Sequence, residues 1–340
     1  SFIPQLVMLF LCLSILEGTG YMSRIAFFLD KLFKKFGLSG KSIIPFIVGT
    51  GCSVPGVMTA RTVEDPDEKE MTIMLTPFIP CNAKLPIMSL LASVIFPTYG
   101  WVISFVCYLM AIAIILTTSL ILKKRFFKVE NDSFISELPS YKLPNAYYCY
   151  RDVKDKTMDF LERAGTTIFL CTLLVWLFTR YTWTWKYVGP TDYTDMTTAN
   201  IADSMLASIG KILAYIFIPA WGGHYSWGLT VSALQGLVAK EQVVSSLAVI
   251  AGEDILSLSG PFAFLADGSM GAPWIALSFL SFNLFSIPCI SAVSAMKREL
   301  GSTRKLLAAM GIELAWAYLI ATFFGVIGWG INGFSGVMGL

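Results

Sequence analysis

From Trp101 to Leu122 the chain carries no charge, and it then meets Lys123-Lys124-Arg125. A helix of roughly 20 apolar residues matches the hydrocarbon thickness of a bilayer, and a basic triplet marks the point where such a helix leaves it. Comparable apolar runs extend from Phe2 to Leu16, Gly165 to Phe178, Trp227 to Ile250 and Leu306 to Trp329, with a shorter one from Leu206 to Trp221. Hydrophobic residues make up 55% of the chain and charged residues 14%, against about 25% charged in a soluble domain. A soluble fold of this size needs more polar surface; a lipid-facing one does not. The expected fold class is all-α: a polytopic transmembrane helical protein with the lipid bilayer as its outer solvent. The net charge of +2 says nothing about nucleic acid, but no basic aromatic stripe appears, so nucleic acid is not expected as a partner.

Other segments are apolar but interrupted. Ile43 to Met58 contains Pro45, Gly49, Gly51 and Pro55; Met71 to Phe96 contains Pro77, Pro80 and Pro86; Pro273 to Met296 contains Pro288. Proline removes a backbone donor and frees the carbonyl four residues earlier. In lipid such a carbonyl must find a partner, so broken or re-entrant helices survive only inside protein or against a watery cavity. Residues 77–86 and 284–293 share the triplet Ile-Pro-Cys. Paired interruptions in two halves of a membrane protein point to a transporter's midplane site. The chain therefore divides into a first membrane half over 1–122, a connecting segment over 123–160 and a second membrane half over 161–340.

Loop charges orient the chain. Basic clusters at Lys31, Lys34, Lys35 and Lys41, at Lys123, Lys124, Arg125 and Lys128 (continued by Arg151, Lys154, Lys156 and Arg163), and at Lys297, Arg298, Arg304 and Lys305 read as cytoplasmic. The 182–204 stretch, with Lys186 against Asp192, Asp195 and Asp203, reads as external. The opening residue is Ser1, not Met, and no signal peptide is recognisable, so a fragment of a longer protein is expected.

Seven cysteines are scattered without a CxxC pair, which argues against a disulfide framework. Three of them lie beside prolines in the broken segments: Cys52, Cys81 and Cys289. A thiol next to unpaired carbonyls suits a borderline cation such as ferrous iron, and the metal itself favours the thiolate. Ser53, Asn82, Asn283 and Ser286 are secondary oxygen ligands on this reading. Taken singly, each cysteine also fits a small buried packing residue. Lys240 and Glu241 sit in mid-run, where charges are functional suspects; neighbours on a helix do not face each other, so each needs a partner elsewhere. Glu17 is a similar charge near a helix end. The sequence Gly37-Leu38-Ser39-Gly40-Lys41-Ser42 resembles a phosphate-binding loop, but the pattern needs Gly where Lys35 stands. His224 is the lone histidine and reads as interfacial. No hydrolase signature appears, and the chain is not expected to be an enzyme.

The segments Leu16 to Thr62, 77–86, 160–169, 237–247 and 282–299 together resemble, in order, the membrane domain of FeoB-type ferrous iron transporters. The resemblance covers about residues 2 to 330. It implies a multi-pass protein of the bacterial inner membrane that imports Fe2+, with its Gate cysteines at Cys52, Cys81 and Cys289. It further implies an N-terminal cytosolic GTPase domain using GTP and Mg2+, absent from this chain, and small cytosolic Feo accessory proteins as partners; it allows a homo-oligomer. The family usually has Asn where Ser53 stands and Asp where Gly18 follows Glu17, which removes a paired carboxylate. It often has Ser-Cys-Gly-Ala-Arg-Leu-Pro where this chain has residues 80–86. The alternatives are a Gate-type transporter of another solute, such as a nucleoside, and a non-transporting membrane scaffold or sensor.

Overall fold

The computed structural model describes residues 2–95, 100–125, 145–183, 204–223, 225–238 and 272–338, with 240, 241, 243, 244 and 247 between the last two stretches. Residues 184 to 203 of the stretch expected to be external, His224, Lys128 and the end of the Trp227 to Ile250 run lie outside them, as do the side chains of Arg125, Arg163 and Cys171. Among the described residues the elements are helical: α1 Phe2–Gly18, α2 Tyr21–Phe33, α3 Ile43–Gly51, α4 Ser53–Thr59, α5 Pro66–Leu75, α6 Leu85–Ile95, α7 Gly100–Arg125, α8 Ala146–Arg180, α9 Met205–Phe217, α10 Trp227–Val238, α11 Ala272–Phe285, α12 Ile290–Leu300 and α13 Thr303–Met338. The chain is a polytopic helical membrane protein: Gly100–Lys124, Thr303–Ile331 and Pro66–Ala92 are long and apolar enough to cross a bilayer, and α11 and α12 are apolar enough together but meet at a 40° bend, as in a broken span or a re-entrant loop.

The charged pair in mid-run changes one expectation. The run from Trp227 to Ile250 is not one helix: α10 ends at Val238, and Lys240 and Glu241 occupy a turn. An ammonium and a carboxylate side by side cannot both be buried on one helical face, and a turn lets them part. Lys240 is 3% exposed, whereas Glu241 is exposed.

Chain contacts form two compact units. The first comprises Ser1–Asn82, Met110–Ile168 and Ser291–Ala309. Its centre is the α3–α4 hairpin. Gly49 and Gly56 let the two arms touch backbone to backbone: a Cβ on Gly56 would lie 2.8 Å from the Gly49 Cα. Arms of nine and seven residues are about 13 and 10 Å long at 1.5 Å per residue, well short of a hydrocarbon core of roughly 30 Å, so neither arm crosses a bilayer. Asp65 caps α5 by accepting from the Asp67 and Glu68 amides, with Pro66 in the first turn, where a missing N–H costs nothing. At a polar edge, Glu299, its side chain 6% exposed, pairs with Arg61 at 2.5 Å and Lys69 at 3.7 Å.

The second unit comprises Ala83–Leu109, Phe169–Ile290 and Met310–Leu340. Its core is aromatic. Trp221, 0% exposed, stacks on Phe217 with centroids 5.5 Å apart and meets Phe279 and Phe282 at 5.5 and 6.0 Å. The Pro219-Ala220-Trp221-Gly222-Gly223 turn that holds this indole needs both glycines, at φ 63° and 81°, since a left-handed backbone strains any residue with a Cβ. Ser278 ties the turn to α13 by donating to the Ala220 and Ala321 carbonyls at 2.6 and 2.8 Å.

Candidate metal path and its charged neighbours

Each of the three proline-flanked cysteines stands on a non-helical residue between helical segments. Cys52 is the tip of the α3–α4 hairpin, extended at φ −151° and ψ 133°. Pro55 does not make this break. It lies in the first turn of α4, where its missing N–H satisfies nothing anyway; the glycine-rich end of α3 and the extended Cys52 make it. The Cys52 amide still donates to the Val48 carbonyl at 3.2 Å, and the Cys52 carbonyl accepts from the Gly56 amide at 3.2 Å. The Cys52 side chain is half-buried and Ser53 beside it is buried.

Cys81 follows Pro80 between the 3₁₀ turns Thr76–Phe78 and Asn82–Lys84. The thiol is buried and Asn82 half-buried. Both α3 and α4 pack on the Thr76–Phe78 turn, and Thr76 sits against Gly49: a Cβ there would meet its methyl at 3.1 Å. The first unit therefore brings the Cys52 hairpin and the turn leading into Cys81 together. Cys289, half-buried, follows Pro288 in the break after α11 and belongs to the second unit, with Asn283, Ser286, Lys240 and Glu241. Among the described residues no group of three or more His, Cys, Asp or Glu side chains is placed to hold a metal ion. Each break offers a single soft donor with oxygen atoms around it, which suits brief lodging and release better than a closed cage.

The break after α11 differs from expectation in one respect. The Leu284 carbonyl, four residues before Pro288, accepts from the Lys84 ammonium. The Asn283 carbonyl and the Ser286 hydroxyl accept from Lys240 at 3.0 and 2.7 Å. The freed Leu284 carbonyl and the Ser286 hydroxyl, two of the oxygens expected to meet a cation, are thus engaged by buried lysines, 2% and 3% exposed. The Asn283 amide donates to the Phe279 carbonyl at 2.9 Å, and its own Oδ1 accepts nothing. Sequence reasoning had not singled out Glu313. It is 1% exposed in α13, and neither of its carboxylate oxygens has a hydrogen-bond partner. The available signal was its position, a carboxylate inside an apolar span.

The residues resembling a phosphate loop are held by acids. Glu68 accepts from the Ser39 amide and, at 2.7 Å, from the Ser42 hydroxyl, and Asp30 accepts from the Gly40 amide at 2.8 Å. Amides already given to carboxylates cannot cradle a phosphate.

Glu17 is exposed and pairs with Lys156 at 3.4 Å, while Lys156 also pairs with Asp152 at 2.8 Å. Glu17 and Lys156, with Asp30, Lys41, Arg61 and Asp155, line a cavity of about 770 Å3 in the first unit that also touches Pro55 and Met58 of α4. Partial burial lowers the Lys156 pKa, but the hydrogen bond to Asp152 and the charges of Glu17 and Asp152 outweigh it and leave the pKa raised above 10.5. A raised lysine pKa contributes stability that is present in full below its unfolded value and is lost as pH rises through the folded value. Lys156→Met is therefore expected to cost the same at pH 7 as at pH 9, below about 1 kcal/mol for so exposed a pair, and the difference from wild type should vanish only in alkali beyond 10.5. Unfolding midpoints in detergent across that range measure it.

Helices long enough to span a bilayer, a tight α3–α4 hairpin and thiols at the helix breaks define a multi-helix membrane protein of the broken-helix class. The family model described as nucleoside recognition, named Gate, matches residues 1–95 and 161–303, and the model described as ferrous iron transport protein B C terminus matches residues 104–153. The chain belongs to the Gate family. It is 35% identical over 96% of its length to the Fe(2+) transporter FeoB of Methanocaldococcus jannaschii, covering 47% of that protein. It is 34% identical over 96% to the FeoB of Staphylococcus aureus strain COL, covering 46%, and 33% identical over 95% to that of Helicobacter pylori strain J99, covering 54%. The chain thus spans about half the length of these curated relatives. No solved structure matches it.

Proposed function

We propose that this chain forms the membrane path of a ferrous iron importer, with Fe2+ passing Cys52, Cys81 and Cys289 and meeting Ser53, Asn82, Asn283 and Ser286 as passing oxygen donors. The observation that carries the reading is the position of those three thiols, each on a non-helical residue between helices. A soft donor at a gap in the backbone ladder can replace part of the water shell of a borderline cation without holding it permanently. The Fe(2+) transporter relatives support the choice of cation. GTP and Mg2+ enter this reading only through a separate cytosolic GTPase domain, in keeping with the acid-bound amides at residues 39–42. The bacterial inner membrane is the proposed location, and the basic loops are its cytoplasmic side.

The nucleoside reading gains little from the aromatic cluster. Trp221 is packed on Phe217, Phe279 and Phe282 and is 0% exposed, so it offers no face for a base. Proteoliposomes holding this chain are expected to take up Fe2+ under anoxic conditions, with Mn2+ and Zn2+ competing and labelled nucleoside excluded. Nucleoside uptake without Fe2+ uptake favours the alternative solute; movement of neither favours a scaffold.

A further inference from the structure

We propose that Glu299 is a positioning residue for Cys52: through Arg61 it latches the return arm of the α3–α4 hairpin, and release of that ion pair opens access to the thiol at the tip. The inference rests on the reading that Cys52 lies on the path, and it assigns what controls access there. All the groups involved belong to the first unit.

The two arms of the hairpin are tied down by different chemistry. The incoming arm is held by buried hydrogen bonds. Glu68 accepts from the Ser39 amide and, at 2.7 Å, from the Ser42 hydroxyl, which lies 2.8 Å from the Thr72 hydroxyl. Ser42, Glu68 and Thr72 are all buried. Such bonds to a charged acceptor are strong and little screened by salt. Ion pairs tie the outer end of the return arm. Arg61 lies in the 3₁₀ turn Ala60–Thr62 that continues α4. It donates through Nε and Nη2 to one oxygen of Glu299, at 2.8 and 2.5 Å, and its side chain is 57% exposed. Lys41 and Glu64 also join the bases of the two arms, at 2.7 Å, but Glu64 is 72% exposed and so open a pair contributes little. Residues 53–62 are helical, so the latch acts on the tip through a rod of about 14 Å. Gly49 and Gly56 meet backbone to backbone, so no side chain interlocks the arms at that contact.

The surroundings of Glu299 let Arg61 go. The Glu299 side chain is 6% exposed, and a carboxylate so deep must keep a cation beside it. Lys69 supplies one, with its ammonium 3.7 Å from the other oxygen. It stands on α5 between Glu68, which holds the incoming arm, and Glu70, which accepts from Lys305 at the start of α13. When Arg61 leaves, Lys69 stays, and the buried carboxylate is not stranded. The guanidinium, more than half exposed, exchanges Glu299 for water. One arm is then free while Glu68 still anchors the other, and the tip that carries Cys52 moves about that anchor.

Alkylation of this chain in vesicles by N-ethylmaleimide, resolved cysteine by cysteine with mass spectrometry, reads access to Cys52. Arg61→Gln and Glu299→Gln should each speed Cys52 alkylation about tenfold, and the double variant no further, because both remove the same pair. Arg61→Lys keeps the charge and should stay within about threefold of wild type. Lys69→Met removes the second cation, binds Arg61 more firmly to Glu299, and should slow Cys52 by about threefold. A merely structural role gives no such slowing. Raising salt from about 0.05 to 0.5 M should speed Cys52 in wild type and not in Arg61→Gln. Cys149 and Cys107 are buried and should keep their rates throughout. An unchanged Cys52 rate in Arg61→Gln, additive effects in the double variant, faster alkylation in Lys69→Met, or equal acceleration of Cys149 and Cys107 overturns the proposal. Anoxic Fe2+ should protect Cys52 in wild type. Latch effects without that protection support the latch and overturn the reading of Cys52 as an iron donor instead.

Discussion

Trp221→Ala is expected to lower the stability of this chain by about 3–5 kcal/mol, the usual cost of truncating a fully buried aromatic side chain. Lipid does not shield the protein from this loss. Association inside a bilayer depends on packing contacts more than on expulsion of water, and the indole supplies those contacts to Phe217, Phe279 and Phe282. Its Nε1 also donates to the Thr230 hydroxyl at 3.2 Å. That hydroxyl keeps its own acceptor, the Ser226 carbonyl at 3.0 Å, so no buried donor is stranded. Trp221→Phe therefore isolates the lost hydrogen bond and the smaller ring, and should cost about 1–2 kcal/mol. Equilibrium unfolding in detergent micelles gives both values. Equal, small costs for the two variants would mean that the aromatic cluster does not organise the second unit.

Replacing Cys52, Cys81 and Cys289 together by Ser is expected to lower Fe2+ uptake by at least about a hundredfold. Serine keeps the size and a polar atom but not the soft donor that favours ferrous iron. Each single replacement should cost less, on the order of tenfold, because a passage with several shallow sites survives the loss of one better than the loss of all. Stability should barely change at Cys52 and Cys289, which are half-buried, while Cys81 is buried and its replacement is checked by the unfolding midpoint beside uptake. Cys107 is the control. It is 1% exposed within α7, and Cys107→Ser should disturb packing without affecting the preference for Fe2+ over Mn2+. A triple Ser variant that transports at the wild-type rate would remove the thiols from the path.

The parts of this arrangement visible in sequence are those set by local chemistry. Gly49, Gly51 and the Pro80 and Pro288 positions mark breaks because glycine and proline act on their own few residues, and the cysteines are adjacent to them. What was not visible depends on partners far along the chain. The expectation that Pro288 frees the Leu284 carbonyl is local; the lysine that takes it is 200 positions away. Lys240 stood out as a buried charge, but its acceptors on Asn283 and Ser286 lie 43 and 46 positions off. Glu313 drew no attention because its run remains apolar on average, and only the fold buries both of its carboxylate oxygens without a hydrogen-bond partner. The Trp227 to Ile250 run read as one helix because mean hydropathy is blind to a single charged pair that turns the chain. The Gly49–Gly56 contact likewise exists only because α4 folds back on α3.

The claim beneath the account is that sulfur, not oxygen alone, lodges the travelling ion at gaps in the helices. X-ray absorption at the iron edge of this chain loaded anoxically with Fe2+ tests it without reference to flux. Sulfur neighbours should appear around the iron and disappear in the triple Cys→Ser variant. An iron shell of oxygen and nitrogen alone in the wild-type chain would contradict the claim.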